Sequence, residues 1–257
     1  MRLVSACTCC GGGRRIALQA AGDARAFATN PKEAIDFLRN KLDVPTAHWT
    51  DLWQEQHSAA FTVAGAMSDS LVSDFHDAVN KAVQDGTTLD QFRKDFDQIV
   101  ADHGWSYNGS RNWRSRVIFD TNINTSYAAG RWDQIQLVKD QRPYLRYVHL
   151  EGQLHPRPEH ESWHDTVLPV DDPWWLTHFP PNGWFCHCTV QSLNERDLGR
   201  YGLAVSDQAP PVEMVERTVN TAQGPRVVQV PRGIDPGFGY RPGAPPAEAI
   251  RAALEAE

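Results

Sequence analysis

Residues 157–190 read RPEHESWHDTVLPVDDPWWLTHFPPNGWFCHCTV, and the architecture turns on how this stretch is read. HESWH at 160–164 matches the zinc-protease signature H-E-x-x-H, in which two histidines one helical turn apart share a zinc and the glutamate activates its bound water. The surroundings do not suit that chemistry. Pro156 and Pro158 leave room for only a turn or two of helix before VLPV, and no apolar helix flanks the motif. Cys186 and Cys188 offer a different partnership. Together with His160 and His164 they form a Cys2His2 set suited to one tetrahedral structural zinc. Side chains two apart in an extended strand point to opposite faces, so both cysteines reach one ion only if WFCHC turns. His178 and His187 are spare candidates, and the alternative is that all these groups fill an aromatic, loop-rich core. Six of the ten histidines lie between His149 and His187, and four of the nine tryptophans between Trp163 and Trp184, a concentration that marks one organised site.

Upstream of this stretch the pattern is helical. NPKEAIDFLRNKL supplies an N-cap at Asn30 and Pro31 at the first helical position, with Ala34, Leu38 and Leu42 as the apolar stripe and Pro45 as the stop. A second helix is expected after Thr46, with Trp49, Leu52, Trp53 and Ala60 on one face. A third runs from Ser68 to Asp85 and stops at Gly86; a fourth is capped at Thr88 and closes at Gly104. A long fifth helix over 111–139 has an inward stripe of Trp113, Val117, Asn124, Ala128 and Ile135. Its middle, TNINTSYAAGR, is polar: Thr121, Asn122, Asn124 and Thr125 need partners if buried, and an exposed face satisfies the pattern equally.

After Pro143 the chain is rich in Pro, Trp and His, and YLRYVHL, TVLPV and RVVQV read as short strands joined by ordered loops. Asp171 and Asp172, followed by Pro173, read as a turn rather than a catalytic pair. GIDPGFGYRPGAPP reads as an extended arm before a short final helix, AEAIRAALEAE. The expected class is α+β. Its divisions are a mobile segment at 1–27, a helical region at 28–142, a loop-rich, short-stranded region at 143–235, and an arm with a terminal helix at 236–257.

With 41% apolar and 22% charged residues in 257, the composition is globular, and no apolar run approaches a membrane span. The start, MRLVSACTCCGGGRR, does not read as a signal peptide. The cysteines cluster as Cys7, Cys9, Cys10 and Cys186, Cys188 rather than as a disulfide framework, which points to a reducing cytoplasm. The net charge of −7 is uneven: 6 basic against 13 acidic residues over 31–102, then 7 basic against 3 acidic over 111–146. The first segment is a poor nonspecific DNA binder; the second is either a DNA-facing stripe or a solvated helix face. Phosphate-loop, nucleophile-elbow and dinucleotide-binding motifs are absent from the sequence.

FATNPKEAIDFLRNKL, GTTLDQFRKDFDQIVADHGW, TNINTSYAAGRW, the 157–190 stretch and GIDPGFGYRPG, in this order, resemble the Mu F-like minor head proteins, the head morphogenesis family of tailed phages and prophages. The resemblance spans roughly residues 27–243 and is most specific in the TNINTSYAAGR helix and in PPNGW-x-C-x-C. It makes Glu161 incidental to the family pattern. Two positions depart from that pattern: Asp165 stands where Gly is usual, and His187 where Arg usually separates the cysteines. The resemblance implies a minor structural protein of the phage head, acting in capsid assembly and DNA delivery. Its implied partners are the portal protein, the major capsid protein and packaged DNA, with no membrane. It implies the virion head as its location, the host cytoplasm during assembly, and no substrate turned over. The rival expectations are a zinc-dependent hydrolase using His160, Glu161 and His164, and a DNA-binding accessory protein using the basic segment.

Overall fold

Helix α1 (Lys32–Arg39) buries Ala34, Ile35 and Leu38, within a computed structural model that describes residues 31–150 and 157–243. The cap expected at Asn30, the 1–27 segment and the final helix at 247–257 lie outside these residues. α1 ends before Leu42, which instead enters β1 (Leu42–Asp43). The ring of His76 decides this, bridging the Leu38 carbonyl at 2.8 Å and the Asp43 carboxylate at 2.7 Å. The helix expected after Thr46 does not form over 46–55; only α2 (Gln56–Ala59) is helical. Asp51 accepts from the amides of Ala47 and His48, and the Gln56 side chain accepts from the Trp53 amide, so side chains take donors a helix would use. β2 (Ala60–Phe61) then pairs in parallel with β1.

α3 (Asp69–Asp85) and α4 (Leu89–His103) follow the expected pattern. Ser68 and Thr88 accept from the amides of Leu71 and Gln91, and both helices stop at left-handed glycines, Gly86 and Gly104. Leu38, Phe61, Phe75, Phe92, Phe96 and Ile118 form the first core.

α5 (Arg111–Val138) spans 28 residues, about 42 Å at 1.5 Å per residue. The single inward stripe is corrected: Trp113 is 47% exposed, and the buried positions lie on several sides of the helix. The reason is that α5 serves two cores. Ile118 packs into the first, while Ala128, Trp132 and Ile135 pack into a second built on Leu145, Tyr147, Trp163, Trp175 and Phe179. No described helix is long and apolar enough to cross a membrane.

β3 (Tyr144–Val148), α6 (Pro158–Ser162), β4 (Val167–Pro169), α7 (Trp175–His178) and β5 (Thr189–Leu193) carry the second core, with β3 central between antiparallel β4 and β5. Capping-box residues Asn194 and Asp197 start α8 (Glu195–Tyr201), and β6 (Met214–Thr221) and β7 (Gly224–Pro231) make a separate hairpin. β5, α8 and β6 were not anticipated. The described part of the arm, 236–243, returns onto the body. Phe238 and Tyr240 are buried, and the Arg241 guanidinium lies 3.7 Å from the centre of the Trp132 ring. The fold is α+β, with helices mainly in the first half and strands later.

Ala129 and Gly130 on α5 lie under neighbouring chain on two sides. A Cβ on Gly130 would sit 2.6 Å from the Ala34 backbone nitrogen of α1, and one on Gly243 would sit 3.1 Å from the Ala129 Cβ. Gly130→Ala therefore trades a helix-propensity gain of up to about 1 kcal/mol against overlap with backbone that cannot yield cheaply. The overlap dominates, and denaturant unfolding should show a net loss of roughly 1–2 kcal/mol.

Lys41, between α1 and β1, is buried, its amine 4.7 Å from the centre of the Phe37 ring. It lines a cavity of about 310 Å³ with Trp49, His57, Trp184 and Tyr240. Burial lowers its pKa from 10.5 to about 7; burial, then Lys41, lowers that of His57 to about 4. Between the folded and unfolded values the unfolded chain binds more protons at Lys41, so its contribution makes stability rise with pH from about 7 to 10.5. Lys41→Met should remove that slope, which is at most about 1.4 kcal/mol per pH unit, and stabilise the chain at pH 7 by on the order of 3 kcal/mol in urea titrations.

Candidate metal centre

Arg157 begins the site. It is the extended N-cap of α6, Pro158 pre-sets the first helical φ, and Glu159 and Glu161 occupy the first turn. The guanidinium forms a two-pronged pair with Asp235 at 2.8 and 2.7 Å and also donates to the Trp184 carbonyl. The same Asp235 carboxylate accepts the Trp184 amide at 2.9 Å. Gly183 leaves room for this clamp, since a Cβ there would lie 2.4 Å from the carboxylate. The hydrogen bond to Asp235 raises the Arg157 pKa, so the charge persists despite partial burial.

α6 is too short to present HESWH as a metal-binding face. It ends at Ser162, Trp163 is its C-cap, and Asp165 turns the chain at φ +65°. Asp tolerates this left-handed conformation better than most residues, so it fills the turn where Gly is usual in the pattern, and its carboxylate accepts from Arg146 at 2.5 Å. His164 consequently points elsewhere. Its Nδ1 accepts the His149 amide at 3.0 Å, and its Nε2 lies 3.4 Å from the Asp165 carboxylate. Glu161 is exposed. The two histidines of the signature therefore do not converge.

His160 is fully buried and stacked on Trp163, with ring centroids 5.1 Å apart. Its Nε2 lies 2.7 Å from the Gly233 carbonyl, an acceptor only, so Nε2 carries the proton and Nδ1 presents its lone pair. That lone pair faces two sulfurs, Cys186 Sγ and Cys188 Sγ, each at 3.6 Å. The required turn in WFCHC is present: the Cys186 amide donates to the Gly183 carbonyl, and Phe185 adopts φ +58°. Asn124, from the polar centre of α5, donates to the Cys186 carbonyl at 3.2 Å. Asn122 and Thr125 donate back to the helix carbonyls of Ile118 and Thr121.

Cys186 and Cys188 form no disulfide. A hydrogen bond to the neighbouring Cys188 sulfur, then burial, pushes the Cys186 thiol up. Cys188 is held down, chiefly by the bond from Cys186. The ligand atoms of His160, Cys186 and Cys188 all lie within 4.8 Å of one another. His149, at the end of β3, adds a ring nitrogen 3.4 Å from Cys188 Sγ. Sequence reasoning passed over His149; the signal was its place immediately after the YLRYV strand, whose last residue, Val148, pairs with Thr189 next to Cys188. Of the spares, His178 is buried against Trp174, with burial lowering its pKa to about 4, and His187 lines a separate pocket with Trp113 and Arg116.

In this chain a long helix with a polar centre braces a buried His/Cys/Cys turn, and a returning Gly- and Pro-rich segment clamps it. The family model for phage Mu protein F-like proteins matches residues 73–191 of this chain. It is 30% identical over 243 residues to the putative capsid assembly protein F of Escherichia phage Mu, covering 83% of this chain and 54% of that protein. It is 32% identical over 184 residues to the Mu-like prophage FluMu F protein of Haemophilus influenzae, covering 68% of this chain and 44% of that protein. The chain thus spans about half the length of these relatives. No solved structure matches it.

Asn124→Leu tests the brace. It leaves a buried carbonyl without its donor, and should cost about 1–3 kcal/mol in equilibrium unfolding. A solvent-facing Asn would lose less than about 0.5 kcal/mol on the same change.

Proposed function

We propose that the chain is a minor structural component of a tailed-phage or prophage head, acting in capsid assembly at the portal or the inner face of the shell. The observation that carries this is the similarity to the capsid assembly protein of phage Mu, which extends over 83% of the chain. The portal protein and the major capsid protein are the partners this reading assigns, with packaged DNA as a further contact during delivery.

Two features favour a structural role over the rival readings. The HESWH histidines face different partners, so the hydrolase reading has no shared ion between them. The basic segment is also engaged internally. Arg111, Arg116, Lys139, Arg142 and Arg146 pair with Asp97, Asp120, Asp171, Asp197 and Asp165. Arg114 and Arg131 donate to the carbonyls of Ala64 and Val190. These residues are engaged by partners within the chain instead of forming a free cationic stripe for phosphates.

Mass spectrometry of purified particles and of procapsids should find the chain at low copy, and crosslinking should join it to the portal or the major capsid protein. Its absence from both particle types would refute the proposal.

A further inference from the structure

We propose that the chain binds one structural zinc ion through His149 Nδ1, His160 Nδ1, Cys186 Sγ and Cys188 Sγ, with His164 holding His149 in place from behind. The distances fit such an ion. With Zn–S near 2.3 Å and Zn–N near 2.0–2.1 Å, the sulfur-to-nitrogen edge of a tetrahedron is about 3.5–3.6 Å. The structure has 3.6 Å from His160 Nδ1 to each sulfur and 3.4 Å from His149 Nδ1 to Cys188.

Local hydrogen bonding accounts for this geometry less well. His160 Nδ1 has one lone pair and can accept one S–H, yet two sulfurs lie equally close to it. Its other nitrogen is committed to the Gly233 carbonyl, the outer contact that orients a ligating imidazole and sets its tautomer. His160 and the two sulfurs lie within 4.8 Å of one another, and the His149 ring nitrogen reaches Cys188 Sγ at 3.4 Å; thiolate and imidazole ligands select zinc over hard cations, which take oxygen. With four protein ligands and a buried centre, the ion would be structural, with no open position for water.

The fourth ligand distinguishes this site from the one HESWH suggests. His164 has both ring nitrogens occupied, by the His149 amide and beside Asp165. His149 is half-buried at the end of β3, where rotation of its side chain carries the ring over the ion. The ion would then join the end of β3, helix α6 and the 186–188 turn.

The full chain, purified under reducing conditions without chelator, should contain one zinc by elemental analysis. Cobalt exchanged into it should show the visible bands of a tetrahedral site with two thiolates. His149→Ala should weaken affinity in chelator competition by tenfold or more and alter the cobalt spectrum. His164→Ala should keep the stoichiometry and the spectral type. Cys188→Ser should lose the metal; because it can also impair folding, the decisive comparison is between the two histidine variants. Zinc below about 0.2 per chain in folded protein with both thiols reactive would overturn the site, since a structural site of this kind binds far more tightly. An unchanged His149→Ala, or loss of metal in His164→Ala alone, would overturn the ligand assignment.

Discussion

Arg157 and Asp235 meet across 78 residues of chain, and the geometry of the site depends on that pair. The planar guanidinium matches the carboxylate at two points, which sets orientation as well as proximity. Once it forms, the Trp184 amide and carbonyl are both fixed, because each bonds to one member of the pair. Gly233 lies two residues before Asp235, so the same clamp delivers the carbonyl that takes the His160 proton. The orientation of a buried imidazole is thus set by a segment more than seventy positions away.

The aromatic residues around this clamp make it rigid. Trp163 packs edge-on against Tyr147 and Trp174 and stacks with His160, while Trp184 meets Trp49 and Phe238 edge-on. Burial of such rings contributes roughly 25 cal/mol per Å² and leaves little freedom to rearrange. Helix α5 then ties this second core to the first. One end packs with Phe92 and Phe96, the other sets Trp132 against Phe179, and the polar stretch between them holds the cysteine turn through Asn124. A helix with one apolar stripe could not serve both cores and also donate to a loop carbonyl.

Much of this was legible in advance, and the reasons are local. Ser68, Thr88 and Gly104 act on amides and carbonyls within a turn of themselves, so helices α3 and α4 lie where the pattern places them. YLRYV, TVLPV and RVVQV contribute residues to strands β3, β4 and β7. The motifs behind the family resemblance converge in space: RPEH, PPNGWFCHC and GIDPGFGY supply Arg157, His160, Cys186, Cys188, Gly233 and Asp235 to one site. The 46–55 segment escaped the pattern because Asp51 and Gln56 capture backbone donors through their side chains, an outcome that apolar spacing does not encode. Leu42 left its helix because His76, from α3, holds the carbonyl at the helix end.

By itself, then, the sequence determined the helical first half, the change of character after Pro143, and the residue types from which the centre is built. Only the tertiary structure decided which of those residues meet. His160 and His164 are four positions apart and would share a face on a longer helix, but α6 stops at Ser162 and the turn through Asp165 sends His164 to the His149 amide. His149 and Cys188 are 39 positions apart and come within 3.4 Å because β3 and β5 pair in that register. Spacing along the chain specifies neighbours only within a continuous element. Across a turn or a sheet, hydrogen-bond register and packing specify them.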